Sequence, residues 1–254
     1  MKLSGNTILI TGGTSGIGYA LAERLLKRKN VVLITGRSEE RLAKARQALP
    51  GVHTYVCDQS DPEAIARLSA DVAAAFPALN MLVNNAGIGP KRNLNDARGD
   101  LSDLGREITT NLTGPIQMVQ AFLPQLKRQS TATIVNVTSG LAFVPLPMKP
   151  IYCATKAAMH SYTQSLRVQL KLSSVKVVEL APPAVATDFN KGQEDMDVGH
   201  RMSVDRLVRE AIRGLEQGKE EIMAGPVPIL RLIGRLNPRA TLRTADAERM
   251  GSEG

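Results

Sequence analysis

The sequence predicts an α/β fold, a doubly wound parallel sheet of about seven strands with helices on both faces. Two observations carry this expectation. Short β-branched apolar runs alternate with helical patterns along most of the chain, which is what parallel strands joined by crossover helices require. The runs at residues 7–11, 31–35, 52–57, 81–84, 133–138 and 175–180 are apolar at successive positions, so both faces of the predicted sheet are covered. A shorter run at 221–224 supplies a seventh strand.

Helical periodicity fills the intervals at residues 16–29, 39–49, 61–76, about 107–128, 151–172 and 203–217. Ser38 and Ser203 stand where N-caps are expected, each followed by acidic residues in the first turn. No repeat or low-complexity linker interrupts the pattern, so residues 1–254 read as one domain. A chain of this length buries roughly three quarters of its unfolded surface. Its 43% apolar and 22% charged residues describe a globular protein. No apolar run approaches the ~18 residues of a membrane span, and the first residues lack the order of basic stretch, apolar stretch and cleavage site of a secretory signal. A cytoplasmic protein is expected.

Cys57 and Cys153 lie far apart in apolar settings and suit reduced thiols better than a disulfide. His53, His160 and His200 have no ligand spacing, and no metal is expected. The net charge of +8 favours phosphate-bearing partners. With only 3% aromatic residues the chain lacks the makings of a base-stacking platform, and no nucleic-acid partner is expected.

The first predicted strand runs into Thr11-Gly12-Gly13-Thr14-Ser15-Gly16-Ile17-Gly18, which opens a helix. Glycines in such a strand-turn-helix unit make the tight turn and let a pyrophosphate reach backbone N–H groups at the helix N-terminus. The fold expected is therefore of Rossmann type, and the domain is a dinucleotide-binding and catalytic one. The second strand ends Thr35-Gly36-Arg37-Ser38 with no acid. An acid there accepts hydrogen bonds from a ribose 2′-OH and repels a 2′-phosphate. Arg37 can instead pair with that phosphate, and Ser38 can add a donor; otherwise Arg37 is a solvated charge at a helix start. NADP(H) is favoured over NAD(H).

The turn TGGTSGIG resembles the TGxxxGIG cofactor motif of the short-chain dehydrogenase/reductase family, and Asn84-Asn85-Ala86-Gly87 resembles its NNAG motif. Asn111, Ser139, Tyr152 and Lys156 follow in the family's order, and the resemblance covers roughly residues 5–225. It implies cofactor contacts from Gly12, Thr14, Ser15, Gly16, Ile17, Gly18, Arg37, Ser38, Asn85, Ala86, Gly87, Tyr152 and Lys156. Asp58 resembles the family's adenine-contacting acid, unless it only caps a helix. The stretch after the sixth strand reads Ala181-Pro182-Pro183-Ala184-Val185-Ala186-Thr187, with Pro183 where many relatives have glycine. Proline fixes φ and removes an N–H, so the turn must accommodate it. Pro182, Val185 and Thr187 carry over as nicotinamide contacts.

Tyr152 and Lys156 sit four residues apart on a predicted helix, so phenol and ammonium share a face. A phenol of ordinary pKa about 10 is a poor base at neutrality. A nearby cation, together with a positively charged nicotinamide ring, is expected to pull it toward the working range. By resemblance, Tyr152 is the acid/base of hydride exchange between nicotinamide and a carbonyl or secondary alcohol. Ser139, thirteen residues earlier at a strand end, hydrogen-bonds the substrate oxygen. The resemblance also implies that Asn111 distorts its helix and helps hold a water against Lys156. The second reading is a catalytically silent nucleotide-bound scaffold or regulator with the same fold, against which these four intact residues argue.

Residues 188–202 occupy the place of a substrate lid, where Phe189, Met196 and Met202 either line an apolar pocket or anchor the loop. Lys91 and Arg92 are expected to be solvated loop charges rather than attractors of an acidic substrate. In the atypical tail, 226–254, Arg231, Arg235, Arg239 and Arg243 recur every fourth residue beside Ile229, Leu230, Leu232, Ile233 and Leu236. This is a basic amphipathic helix broken near Pro238. Packing on its own domain or on a neighbouring subunit is favoured over contact with an anionic membrane. The PPAVATD stretch and the tail resemble the DltE-like branch of the family. The family also implies a homodimer or homotetramer packed through the helices near 107–128 and 151–172.

Overall fold

A computed structural model describes residues 2–92, 101–187, 189 and 201–237. Strands β1 (Thr7–Ile10), β2 (Val31–Gly36), β3 (His53–Val56), β4 (Leu79–Asn84), β5 (Ala132–Val137), β6 (Val175–Ala181) and β7 (Glu221–Met223) form one sheet in the order β3-β2-β1-β4-β5-β6-β7. All neighbours pair in parallel. The strand order reverses between β1 and β4, and a crevice at the carboxyl ends of these strands is where such sheets bind ligands.

Helices α1 (Gly16–Leu26), α2 (Glu39–Ala48) and α7 (Val204–Glu216) cover one face. Leu21, Leu25, Leu42, Leu207 and Ile212 pack there against Ile8, Ile10, Val32 and Ile34. Helices α3 (Pro62–Ala75), α5 (Gly114–Lys127) and α6 (Pro150–Gln169) cover the other. Ile65, Val72, Met118, Phe122 and Leu166 pack there against Leu9, Leu33, Leu82 and Ile134. Alternate residues of β1 thus enter opposite cores, as the period of two along a strand requires. Ser38 and Ser203 cap α2 and α7, accepting from the backbone N–H of Arg41 and Arg206 at 3.3 Å each.

Two expectations change. β3 is not covered on both faces: it is the outermost strand, and Val56 is 60% exposed. The helix expected over about 107–128 divides into α4 (Leu101–Ile108), a π-helical turn (Thr109–Thr113) and α5. A π turn shifts the backbone register and often marks a functional site; this one contains Asn111. The tail helix α8 (Val227–Leu236) ends before Asn237. Pro238, Arg239 and Arg243 lie outside the described residues, as does most of 188–202 including Met196.

Helix α8 packs on its own domain. Val227 is fully buried, Gly234 lies against the carbonyl of Phe143, and Arg231 pairs with Glu221 on β7. Ile229, Leu232 and Leu236 face outward, 62%, 56% and 76% exposed. No helix among the described residues is long and apolar enough to cross a membrane.

Candidate active site

The glycine-rich turn links β1 to α1 at the reversal point. Gly12 takes φ +66°, and a Cβ there would lie 2.8 Å from the Cα of Ala86, so only glycine lets the turn meet the loop after β4. Gly16 also has a positive φ, +54°, and faces the side chain of Thr187. Thr11 fastens the two loops together: its hydroxyl accepts from the backbone N–H groups of Asn85 and Ala86, both at 3.0 Å. The Asn85 amide returns two bonds, to the carbonyls of Thr11 at 2.9 Å and Gly12 at 3.2 Å. Ser15 stands at the N-cap of α1 without a side-chain cap, and the first turn holds no acid. This helix end is accordingly ready for an anion.

Helix α6 carries Tyr152 and Lys156 on the face turned to the sheet. The Lys156 ammonium donates to the carbonyl of Val137 at 2.8 Å and lies 5.6 Å from the centre of the Tyr152 ring. Further along the same face, His160 Nδ1 lies 2.8 Å from Glu179 Oε2, and Thr163 Oγ1 accepts from Asn136 Nδ2 at 3.0 Å. Arg167 Nε donates to the carbonyl of Val177 at 3.1 Å. Glu179 Oε1 in turn accepts from the Thr138 hydroxyl at 2.7 Å, fixing the backbone one residue before Ser139. Asn136 connects to the neighbouring strand, accepting from Asn84 Nδ2 at 2.9 Å.

Ser139 follows β5 and opens a short 3-10 turn (Gly140–Ala142), its Oγ accepting from Leu141 N at 3.1 Å, and its side chain favours the ionised form of the Tyr152 phenol. Asn111 bridges the π turn to the loop after β4. It donates to the Ile88 carbonyl at 2.7 Å and accepts from Ile88 N–H at 2.8 Å. A Cβ on Gly87 would lie 3.1 Å from Asn111 Oδ1 and 3.7 Å from Lys156 Nζ, so the asparagine, the lysine and the NNAG loop converge. Gln59 steadies the same region, donating to the carbonyls of Ala86 at 3.0 Å and Thr110 at 2.6 Å.

Burial dominates the electrostatics of this pair. Burial pushes the Tyr152 phenol up to about 12, outweighing the lowering by the Ser139 hydrogen bond. Burial also brings the Lys156 ammonium down to about 8. Taking a charge out of water disfavours it in both groups, and the ammonium is held by the Val137 carbonyl. The protein's own groups therefore keep the phenol protonated at neutral pH. Such a phenol can give a proton to an oxygen placed against it and Ser139.

The remaining expected positions fall around this crevice. Arg37 is exposed at the end of β2. Thr14 lies over Gly36, and Ile17 packs into the core. Asp58 Oδ1 accepts from Ser60 N and Oγ at 2.9 and 2.7 Å, whereas the cap of α3 is Asp61. The Pro182 carbonyl accepts from Gly140 N at 2.7 Å. Val185 bridges to Met202, which is 6% exposed and anchors its segment in the core. The Phe189 ring lies 5.5 Å from that of Tyr152. Arg92 is not a solvated loop charge: only 14% exposed, it pairs with the fully buried Glu107 at 3.2 Å. Sequence reasoning gave no positioning role to Thr11, Gln59, Asn84, Asn136, His160 or Glu179. Polar residues inside apolar strands, as in TIVNV and VVEL, were the available signal.

The short chain dehydrogenase model matches residues 6–215. The chain belongs to the short-chain dehydrogenase family of oxidoreductases. It is 46% identical over 233 residues to the uncharacterized oxidoreductase DltE of Bacillus subtilis, covering 91% of this chain and 92% of that one. It is 35% identical over 190 residues to sulfoacetaldehyde reductase 2 of Chromohalobacter salexigens, covering 72% and 73% of the two chains. A solved short chain dehydrogenase from Burkholderia cenocepacia in complex with NADP superposes with a TM-score of 0.83 at 26% identity, covering 96% of this chain and 99% of that one.

The shifted lysine gives a signature in stability. Between its folded value of about 8 and its ordinary 10.5, the unfolded chain binds the extra proton, so the contribution of Lys156 to stability rises with pH across that window. In urea unfolding series, wild type should gain on Lys156→Met from pH 8 to 10.5. A difference constant across this range would contradict the assigned burial of the charge.

Proposed function

We propose that the chain is a cytoplasmic NADP(H)-dependent reductase that exchanges hydride with a carbonyl or secondary alcohol, with Tyr152 as acid/base. The observation that carries this reading is the joint placement of Tyr152, Ser139, Lys156 and Asn111 at the carboxyl edge of the sheet, beside the glycine turn. The turn fits a dinucleotide: Gly12 and Gly16 hold conformations that side chains resist, and α1 presents an uncapped N-terminus. Backbone groups of Gly12, Thr14, Ser15, Gly16, Ile17 and Gly18 would hold the pyrophosphate. Arg37 and Ser38 would hold the 2′-phosphate, Asp58 the adenine, and Asn85, Ala86 and Gly87 the adjoining ribose. Pro182, Val185 and Thr187 would hold the nicotinamide amide, and Tyr152 and Lys156 its ribose. Bound nicotinamide supplies or accepts the hydride.

The chain's own residues manage the proton. Tyr152 donates it to the substrate oxygen, which Ser139 also contacts, and Lys156 with Asn111 provides the route for replacing it from solvent. The NADP in the solved neighbour, and the exposed Arg37 where an acid would select NAD, support NADP(H). The name of the reductase from Chromohalobacter salexigens supports a carbonyl substrate. The assembly proposed is a homodimer or homotetramer packed through α5 and α6; Val168 on α6 is 74% exposed.

With a panel of aldehydes and ketones, wild type should oxidise NADPH, and Tyr152→Phe should be slower by about 100- to 10,000-fold while still binding cofactor. Equal rates in the two proteins would end the proposed mechanism. In parallel, Arg37→Asp should weaken NADPH binding and improve NADH binding. Unchanged preference would remove Arg37 from cofactor selection.

A further inference from the structure

The turn that begins at Ser139 is held at both ends by one buried pair. Before it, the Thr138 hydroxyl donates to Glu179 Oε1 at 2.7 Å. After it, the Phe143 ring meets the His160 ring edge-on, with centres 4.8 Å apart and planes at 75°. His160 Nδ1 lies 2.8 Å from Glu179 Oε2 and closes the circuit around the serine. Helix α8 backs this circuit from outside. The Arg231 guanidinium lies 5.4 Å from the centre of the Phe143 ring and pairs with Glu221 on β7. A Cβ on Gly140 would lie 3.1 Å from Val227 and 3.4 Å from Leu230, so α8 leaves the turn little room to lift.

Glu179 is 1% exposed and stands between the buried Val178 and Leu180. The desolvation of a buried acid offsets most of what its contacts return, and apolar residues of similar volume serve a core at least as well. Stability therefore gives little reason for an acid here; direction gives one. An apolar side chain would fill the space but would tie neither Thr138 nor His160 to a fixed point.

Ser139 needs a fixed point because Tyr152 belongs to another element. The serine follows the sheet, whereas Tyr152 lies on α6, eight residues before His160. Backbone bonds from Thr138 to Leu180 at 2.8 Å and from Gly140 to Pro182 at 2.7 Å hold the turn to the segment of β6 and its continuation, without reaching α6. Lys156 anchors α6 to Val137, upstream of the turn. The His160–Glu179 pair is what joins α6 to residues on both sides of the serine.

We propose that Glu179 and His160 are positioning residues for the reaction, which together set the distance between the Ser139 hydroxyl and the Tyr152 phenol so that one substrate oxygen meets both. This rests on the reductase reading above and deepens it. Neither residue touches the substrate; both act through Ser139. A misplacement of about 1 Å at such a site costs on the order of 100-fold in rate. The alignment counts most in the transition state, where charge on the oxygen changes, and little in ground-state binding.

The test is a double-mutant cycle on NADPH-dependent turnover of whichever aldehyde or ketone wild type reduces fastest. His160→Leu and Glu179→Leu should each lower kcat by about 10- to 100-fold, with KM nearly unchanged and NADPH still bound. Thr138→Val, the gentlest change, removes one arm of the pair and should lower kcat in the same sense. On a Ser139→Ala background the same substitutions should cost almost nothing further, because the group they align is gone. His160→Asn, whose amide nitrogen takes the place of Nδ1, should recover most of what His160→Leu loses. Equal kcat losses with and without the Ser139 hydroxyl, or an unchanged kcat, would overturn the proposal. Crystal structures of ligand-free wild type and His160→Leu read the placement without turnover: the separation of Ser139 Oγ from Tyr152 Oη should change by about 0.5 Å or more, the tolerance of a preorganised site. An unchanged separation counts against the proposal whatever the rates. A changed separation in a protein that reduces no carbonyl compound would sustain the positioning role and sink the reductase reading. Turnover by wild type, with His160→Leu keeping both kcat and separation, would do the reverse, and neither turnover nor displacement would defeat both.

Discussion

The site depends on how α6 is fastened to the sheet. Lys156, His160, Thr163 and Arg167 form one stripe along the helix, and each meets the sheet: the Val137 carbonyl, Glu179, Asn136 and the Val177 carbonyl. Apolar packing alone lets a helix slide or roll at little cost, because dispersion contacts are not directional. A buried hydrogen bond adds only about 0.5–1.5 kcal/mol net, but leaving one unmade costs about 1–3 kcal/mol. Four such contacts therefore fix the register of α6 more than they add to stability. Tyr152 stands one turn before the first of them, and its distance from Ser139 follows from that register.

The same network sets the strand end that faces Tyr152. Glu179 on β6 holds His160 from the helix with one oxygen and Thr138 from β5 with the other. Helix and strand are thus referenced to one buried carboxylate, immediately before the serine that contacts the phenol. The clamp of Thr11 and Asn85 does the same for the glycine turn and the NNAG loop. The glycine turn and the Tyr152–Lys156 pair are held by separate polar anchors on a common parallel sheet.

Most of this plan was legible in the sequence. The seven strands and their flanking helices follow from runs of apolar residues and their intervals, and the edge strand β3 was misjudged because its composition resembles that of a covered one. The π turn at Asn111 was invisible to helical periodicity, which does not register an extra residue in one turn, and only the family resemblance pointed to a distortion there. Tyr152, Lys156, Ser139 and the glycine turn stood out because short motifs encode them. Glu179, His160 and Asn136 did not, because their partners are distant in sequence and meet only when the sheet forms.

The central claim is that the protein presents Tyr152 as a buried, protonated phenol beside the Lys156 ammonium, and does not by itself turn it into a phenolate. Spectrophotometric titration of tyrosinate in the ligand-free protein, with Tyr152→Phe subtracted, measures this directly. The account predicts ionisation of this phenol well above the ordinary 10.0, near 12. A difference titration showing it ionised near neutral pH would contradict the account.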